Sequence, residues 1–310
     1  MPTKPRRKFQ FTALLVLSGA LGIHYVGRGC QADFSSAVTA SSEWKTPVNV
    51  GPPINTSAWE DSPCISPDGT LLFFSRGRHD AGQQDRNVDV YYSRKVGGRW
   101  TEPAYCEFNM KSFPTSAVKA QDNQTVYFAS VRPGGYGQGD IYSATRQPGG
   151  GWSTGRNIGP PINTEYNESE PYVSPDGTKL YFTSDRPGGV GGMDNWVSTN
   201  VGGQWTNPVN LGQPANSTYD DLQPFVTQDG SSLYFVRANF ANVGKLVEGY
   251  HAAIRRCDLV NGKWGNPQVV VSDFVGEPSM TADGRFLYFA HVVFSGGRPI
   301  DSDIMMVEKK

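Results

Sequence analysis

From residue 41 onward, apolar positions come in short bursts, each bounded by turn residues. Five bursts share one form: "LLFFS", "TVYFAS", "KLYFTS", "SLYFV" and "FLYFA". Each follows a tight-turn pair: Asp68-Gly69, Asp122-Asn123, Asp176-Gly177, Asp229-Gly230 and Asp283-Gly284. Gly and Asn tolerate the positive φ such turns need, and Leu, Tyr and Phe fit a pleated surface buried against a neighbour. The turn aspartates stand 54, 54, 53 and 54 residues apart. A fixed period of that length predicts an array of one repeated unit.

Each unit reads as four strands. The first runs into the Asp turn, as in "SPCISPDG" and "PYVSPDG", and the aromatic burst is the second. A Gly-rich connection follows, cleanest as "RPGGYGQGD" and "RPGGVGGMD", and leads to a third strand that starts near Asp89, Asp140, Asp194 or Asp303. The fourth strand begins at a Trp after units one to four: Trp100, Trp152, Trp205 and Trp264. Unit five ends at Lys310 without one, and the missing copy stands at the front, in "WKTPVNVGPPIN" from Trp44. The N-terminal segment near Trp44 is therefore expected to complete the last unit and close a ring, which leaves no open sheet edge between first and last units. The predicted fold is all-β, a five-bladed β-propeller of four-stranded blades spanning residues 41–310.

The pattern "SPDG…LYF.S.RPGG.GG.DIY" resembles the WD40-like PD40 β-propeller repeat of TolB-type exported proteins. The resemblance covers nearly all of residues 43–310. It is strongest over Pro171–Ser198 and weakest in the fourth and fifth units. It implies a propeller and, by itself, no particular activity, because propellers host binding proteins and enzymes alike. The additional N-terminal domain of TolB has no counterpart here, which argues against a true Tol role.

Residues 1–40 have a different character. Lys4, Arg6, Arg7 and Lys8 precede an apolar stretch from Phe9 to about Val26, the layout of an export signal. Three ends are open: cleavage after Val38-Thr39-Ala40, lipidation at Cys30, or retention as a membrane anchor. Each places the rest of the chain outside the cytoplasm, in the periplasm, cell envelope or beyond.

The net charge of −1 offers no general attraction to nucleic acid. Four cysteines without a CxxC pair make neither a disulfide framework nor a zinc site of ordinary spacing, and no cofactor or metal is expected. Cys64 and Cys106 read as buried free thiols, and Cys257 as incidental. The chain lacks an H-E-x-x-H motif, and its GG pairs are turns.

Candidate chemistry lies where the repeats differ. Just before the first strands stand Glu60 and Asp61, Glu168 and Glu170, Asp220 and Asp221, and Glu277, while unit two offers Lys111, Ser112 and Phe113. In a propeller these positions surround the central channel. Converging there, they would form an acidic funnel suited to a cation, a basic peptide or a polyhydroxylated ligand. The alternative is that they bond local backbone at the head of each blade. Units four and five also depart from the pattern, with Lys245, Glu248 and His251 in one and His291, Arg298 and Asp301 in the other.

The expectation is an exported, monomeric, non-catalytic propeller that binds a protein or cell-envelope component, with a glycan as a further candidate and the membrane as a tether. The alternative is a carbohydrate-active enzyme, a glycoside hydrolase or lyase, working with Glu60, Glu168, Glu170, Asp221 and Glu277.

Overall fold

A computed structural model describes residues 38–77, 88–110, 115–120, 124–239, 246–295 and 298–310. Within it, five antiparallel sheets are arranged as the blades of a propeller. Blade I runs from the channel outward through Trp59–Ile65, Leu71–Gly77, Val88–Val96 and Ala104–Tyr105. Blade II comprises Thr115–Ala120, Thr125–Ser130, Asp140–Thr145 and Arg156–Asn157. Blade III comprises Glu168–Val173, Lys179–Ser184, Asp194–Val201 and Val209–Asn210. Blade IV comprises Asp220–Val226, Ser232–Ala238, Ala252–Val260 and Gln268–Ser272. Blade V has Val275–Met280, Phe286–Ser295 and Arg298–Glu308, and takes its outer strand, Val48–Asn49, from the opposite end of the chain.

Ring closure therefore works as the displaced Trp44 motif predicts. Val48 pairs with Met306 and Asn49 with Met305, and Trp44 bridges to Lys309. The structure adds a second lock. Thr39–Ala40 pairs with Ser272 and Val271 on the outer strand of blade IV, so the N-terminal segment stitches two blades. The Trp motif itself sits slightly differently from the sequence expectation. Trp100, Trp205 and Trp264 lie in two-residue strands that fold back onto the end of the third strand, and the outer strand pairs only a few residues later.

The core lies between blades. Phe73, Phe74, Phe128, Phe182, Phe235 and Phe289, one or two from every second strand, are fully buried. Trp152 of blade II meets Phe73 of blade I edge-on at 5.5 Å, and Trp44 is buried in the cluster that joins blades III, IV and V. Cys64, Cys106 and Cys257 are free and buried. The turn aspartates cap their own hairpins: Asp68, Asp176, Asp229 and Asp283 each accept the N–H two residues on at 3.0 Å. Hydrogen bonds hold Asp176 and Asp229 down to about 2. The third-strand Asp140 and Asp194 accept N–H groups from Tyr136 and Val190 and so fold the RPGG loops.

Candidate functional site

The connection from each outer strand to the next inner strand, and the RPGG loops, lie on one face of the ring. The RPGG loop of blade II touches the head of blade III, with Gln138 N donating to Tyr166 O at 3.1 Å and Glu168 N to Gly139 O at 2.9 Å. Blades III and IV repeat this through Met193 and Asp221, and Asp220 accepts the Met193 N–H at 3.1 Å. Asp220 is thus spent on a joint between blades.

A shared device holds these connections. Asn55, Asn109, Asn163 and Asn216 stand 54, 54 and 53 residues apart. Each side chain accepts from one third-strand N–H and donates back to the carbonyl of the same residue: Ile304, Val90, Ile141 and Asn195 respectively. The amide imitates a strand edge and satisfies backbone groups that would otherwise be buried unpaired. The period was visible in sequence; the role was not, because Asn within "PPIN" also fits a turn.

Beside this amide sits a carboxylate–arginine tie. Glu60 accepts from Thr56 N at 2.9 Å, Thr56 Oγ1 at 2.6 Å and Arg76 Nε at 2.8 Å. Glu168 accepts from Thr164 N at 2.8 Å, Thr164 Oγ1 at 2.5 Å and Arg186 Nη2 at 3.0 Å. Asp221 accepts from Ser217 N and Oγ, both at 2.7 Å, and from Arg237 Nε at 2.6 Å. The arginines also donate to carbonyls of the connecting segment, at Ile54, Ile162 and Ala215. All three carboxylates are fully buried. Burial raises the pKa of each against the pull of its partners, taking Asp221 to about 6. They are joints that anchor each connection, not groups facing the channel.

The remaining carboxyls do converge on the channel. Every inner strand whose side chains are described bulges at one residue in the left-handed region: Ser62 (φ 53°), Glu170 (52°), Gln223 (58°) and Glu277 (59°). A bulge re-aims a side chain, and here it gathers all four around the axis. Glu277 accepts the Ser62 N–H and, at 2.9 Å, the Ser62 hydroxyl, and its own N–H donates to Gln223 Oε1 at 2.9 Å. Burial, the Asp61 carboxyl hydrogen-bonded to it and the charge of Glu170 push Glu277 well above the usual carboxylate range. Asp61, Glu170 and Glu277 are 1%, 6% and 1% exposed. Cys64, Tyr172, Phe225 and Ser279 line a cavity of about 30 Å³ near the turns that follow the inner strands, room for water rather than a substrate.

The sequence-predicted residues thus separate into two groups. Glu60, Glu168, Asp220 and Asp221 bind blade to blade; Asp61, Glu170 and Glu277 meet in the channel. His291 is buried on the second strand of blade V opposite Val275, and burial lowers its pKa to about 4. His251 is half-buried and stacks on Phe274 at 4.4 Å, with Phe294 beyond at 4.2 Å. Burial lowers its pKa against the opposing charge of Asp273. Arg298 begins the third strand of blade V, and its side chain lies outside what the structure describes. Lys111, Ser112, Phe113, Lys245 and the N-terminal segment through residue 37 lie outside the described residues. Sequence reasoning passed over Arg255, a charged residue in the row where blades I to III carry Tyr91, Tyr142 and Trp196.

No model of a known protein family matches the chain, and no curated protein matches it. Among solved structures, it is similar to the catalytic domain of a GH62 α-L-arabinofuranosidase from Coprinopsis cinerea, with a TM-score of 0.54 and 12% identity over 89% of this chain and 98% of that one. It is also similar to the α-L-arabinofuranosidase PaAbf62A from Podospora anserina, solved in complex with cellotriose, with a TM-score of 0.49 and 12% identity over 85% and 94%. TolB from Acinetobacter baumannii aligns with a TM-score of 0.45 and 14% identity over 81% of this chain and 54% of that one. The chain spans about half the length of that TolB. At such identities the likeness establishes the propeller fold and nothing finer.

Proposed function

We propose that the chain is an exported, non-catalytic β-propeller that binds a protein or cell-envelope component through the face where its RPGG loops meet the heads of the blades. One observation carries the reading: the carboxyl groups at that face are consumed within the protein. Glu60, Glu168 and Asp221 are fully buried and bonded to Thr or Ser and to Arg. The repetition of the same tie in three blades marks it as scaffold, since a catalytic pair is a single, specialised set. The face itself offers exposed apolar groups at loops and strand ends: Met110, Tyr136, Val190, Leu246 and Ile300, of which Tyr136 is 55% and Leu246 54% exposed. Exposed apolar and aromatic groups spread over one face suit a protein partner. The basic-then-apolar N-terminal segment supports export, and the PD40-type assignment rests on the repeat motif.

The second reading, a carbohydrate-active enzyme, draws on one feature. A carboxyl with a raised pKa beside two other carboxyls is how acid and base roles are divided in glycoside hydrolysis, and Glu277 is such a group. Its burial opposes that use.

Both readings meet one experiment. Wild type, Tyr136→Glu/Leu246→Glu and Glu277→Gln are each tested for retention of cell-envelope components and for turnover of a glycan panel. The binding reading expects one species retained by wild type and Glu277→Gln and lost by the loop-tip variant, with no sugar released. Sugar released by wild type but not by Glu277→Gln overturns it in favour of the enzyme.

A further inference from the structure

Blade IV carries a second guanidinium where its neighbours carry a ring. In blades I to III the third-strand residue paired with a buried Phe of the second strand is Tyr91, Tyr142 or Trp196. These rings lie 5.3, 4.8 and 5.5 Å from the guanidinium carbons of Arg76, Arg132 and Arg186, a stabilising cation–π arrangement. In blade IV the equivalent residue is Arg255. It is 3% exposed, and the positive charge of Arg237 acts on it. Two like charges in a buried place require an anion between them.

Asp221 already balances Arg237 at 2.6 Å, and the second anion is Glu248. Its Oε1 lies 3.3 Å from Arg237 Nη1 and its Oε2 2.8 Å from Arg255 Nη1. Glu248 stands outside the blade repeat, at the tip of a tight turn from Val247 to Tyr250. Two backbone hydrogen bonds of 2.6 and 3.1 Å close the turn, and Glu248 and Gly249 take φ of 52° and 93°. Its side chain is 49% exposed, so the solvent that reaches the turn also reaches the carboxylate. Glu248 nonetheless leaves Arg255 incompletely bonded. Arg255 Nε and Nη2 are buried and have no hydrogen-bond partner. Those two N–H groups share one edge of the guanidinium, the edge that takes both oxygens of a carboxylate side by side.

We infer that Arg237 and Arg255 form a binding site for the carboxylate of a small acidic ligand, and that Glu248 is the built-in occupant which that ligand replaces. Exchange of one carboxylate for another at the two Nη1 groups keeps the buried charge balanced, and a further oxygen of the ligand, a sugar hydroxyl or a peptide carbonyl, accepts from the Nε–Nη2 edge of Arg255 that Glu248 leaves unbonded. The site sits between the second and third strands of blade IV, apart from the channel carboxyls, and it stands whether or not the loop face binds a protein. The carboxylate could be carried by a sugar acid or by the free C-terminus of a peptide, and the test separates them.

Calorimetric titration of the full chain with D-glucuronate, N-acetylglycine and sulfate, with glucose as the uncharged control, tests the site in wild type, Glu248→Ala and Arg255→Met. The expected result is binding of one carboxylate probe and not of glucose, tightened about tenfold by Glu248→Ala because an internal competitor is gone, and abolished by Arg255→Met in protein whose circular dichroism is unchanged. Preference for glucuronate identifies a sugar acid, and preference for N-acetylglycine a peptide terminus. Failure of both probes to bind Glu248→Ala overturns the proposal, as does equal binding by Arg255→Met and wild type, or sulfate binding as tightly as the carboxylates.

Discussion

Replacing Glu168 by Ala tests whether the carboxylates at the heads of the blades hold the ring or serve a ligand. Glu168 is fully buried and accepts four hydrogen bonds, from Thr164 N, Thr164 Oγ1, Ser184 Oγ and Arg186 Nη2. Removing one member of a buried ion pair typically costs about 3–5 kcal/mol, because the partner charge stays behind in a place where water cannot serve it. Here Arg186 keeps the carbonyls of Pro161 and Ile162 and the Ser184 hydroxyl, so part of its demand remains met. That argues for the lower end, about 3 kcal/mol, or roughly a hundredfold in the folded-to-unfolded ratio. Urea denaturation of wild type and variant, followed by tryptophan fluorescence, measures the loss. The double variant Glu168→Met/Arg186→Met should lose less than the sum of the single Met replacements, since it leaves no orphaned charge. A Glu168→Ala protein within about 0.5 kcal/mol of wild type, as for an ordinary surface substitution, would refute the tie and return Glu168 to the list of groups available for a substrate.

Three further outcomes are expected. Asn163→Ala removes three hydrogen bonds, two of them to Ile141 N and O and one to Asn157 Oδ1, and should cost about 3 kcal/mol by the same denaturation assay at about 1 kcal/mol per bond. Trp44→Ala empties the packing position that seals blade V against its neighbours and should cost about 3–5 kcal/mol; a loss near zero would show that the ring closes without the N-terminal motif. His291 gives a pH signature: burial lowers it to about 4 from an ordinary 6.5, so as pH falls below 6.5 the unfolded chain takes up a proton that the folded one refuses. The stability His291 contributes is whole above pH 6.5 and drains away between 6.5 and 4, by about 3 kcal/mol. His291→Leu should flatten the difference in denaturation midpoint between pH 7.5 and 5, and an unchanged pH dependence would contradict the depressed pKa.

The blade count and the ring closure were legible because they depend on residues with one structural meaning. A turn Asp before Gly, repeated at a fixed interval, marks a hairpin, and a Trp motif at the wrong end of the chain marks a shared blade. The carboxylates were not legible at the same resolution. Glu60 and Asp61 are adjacent, and simple strand alternation predicts only that they face opposite ways. Which one faces the axis depends on the left-handed bulge at Ser62, and Ser, Glu and Gln fill that position in different blades without the Gly that would announce it. The sequence pattern therefore merged two sets of groups that the bulge separates.

The same logic accounts for the connection into blade V, which has neither joint, although the third strand of blade V keeps the Asn55 amide at Ile304. The connection into it is only Asp273 and Phe274, both at positive φ (75° and 53°), whereas nine residues, 50–58, lead into blade I and nine, 211–219, into blade IV. With the long connection gone, there is no equivalent of Asn163, and there are no loop carbonyls for an arginine to hold. The carboxylate position becomes Val275 and the arginine position becomes His291, which face each other across the ladder. An Arg–Glu tie placed there would bury two charges with no loop carbonyls to bond, so the tie is lost as a unit. The space is taken instead by the stack of His251, Phe274 and Phe294. The joint between blades IV and V is thus where the repeat is relieved of its scaffold duty, and the Arg255–Glu248 contact lies in blade IV, on one side of that joint. If that relief is what permits binding, a Phe274→Ala variant should alter ligand affinity at Arg255 far less than Glu248→Ala does, because the stack replaces a missing joint and does not bear on the guanidinium edge.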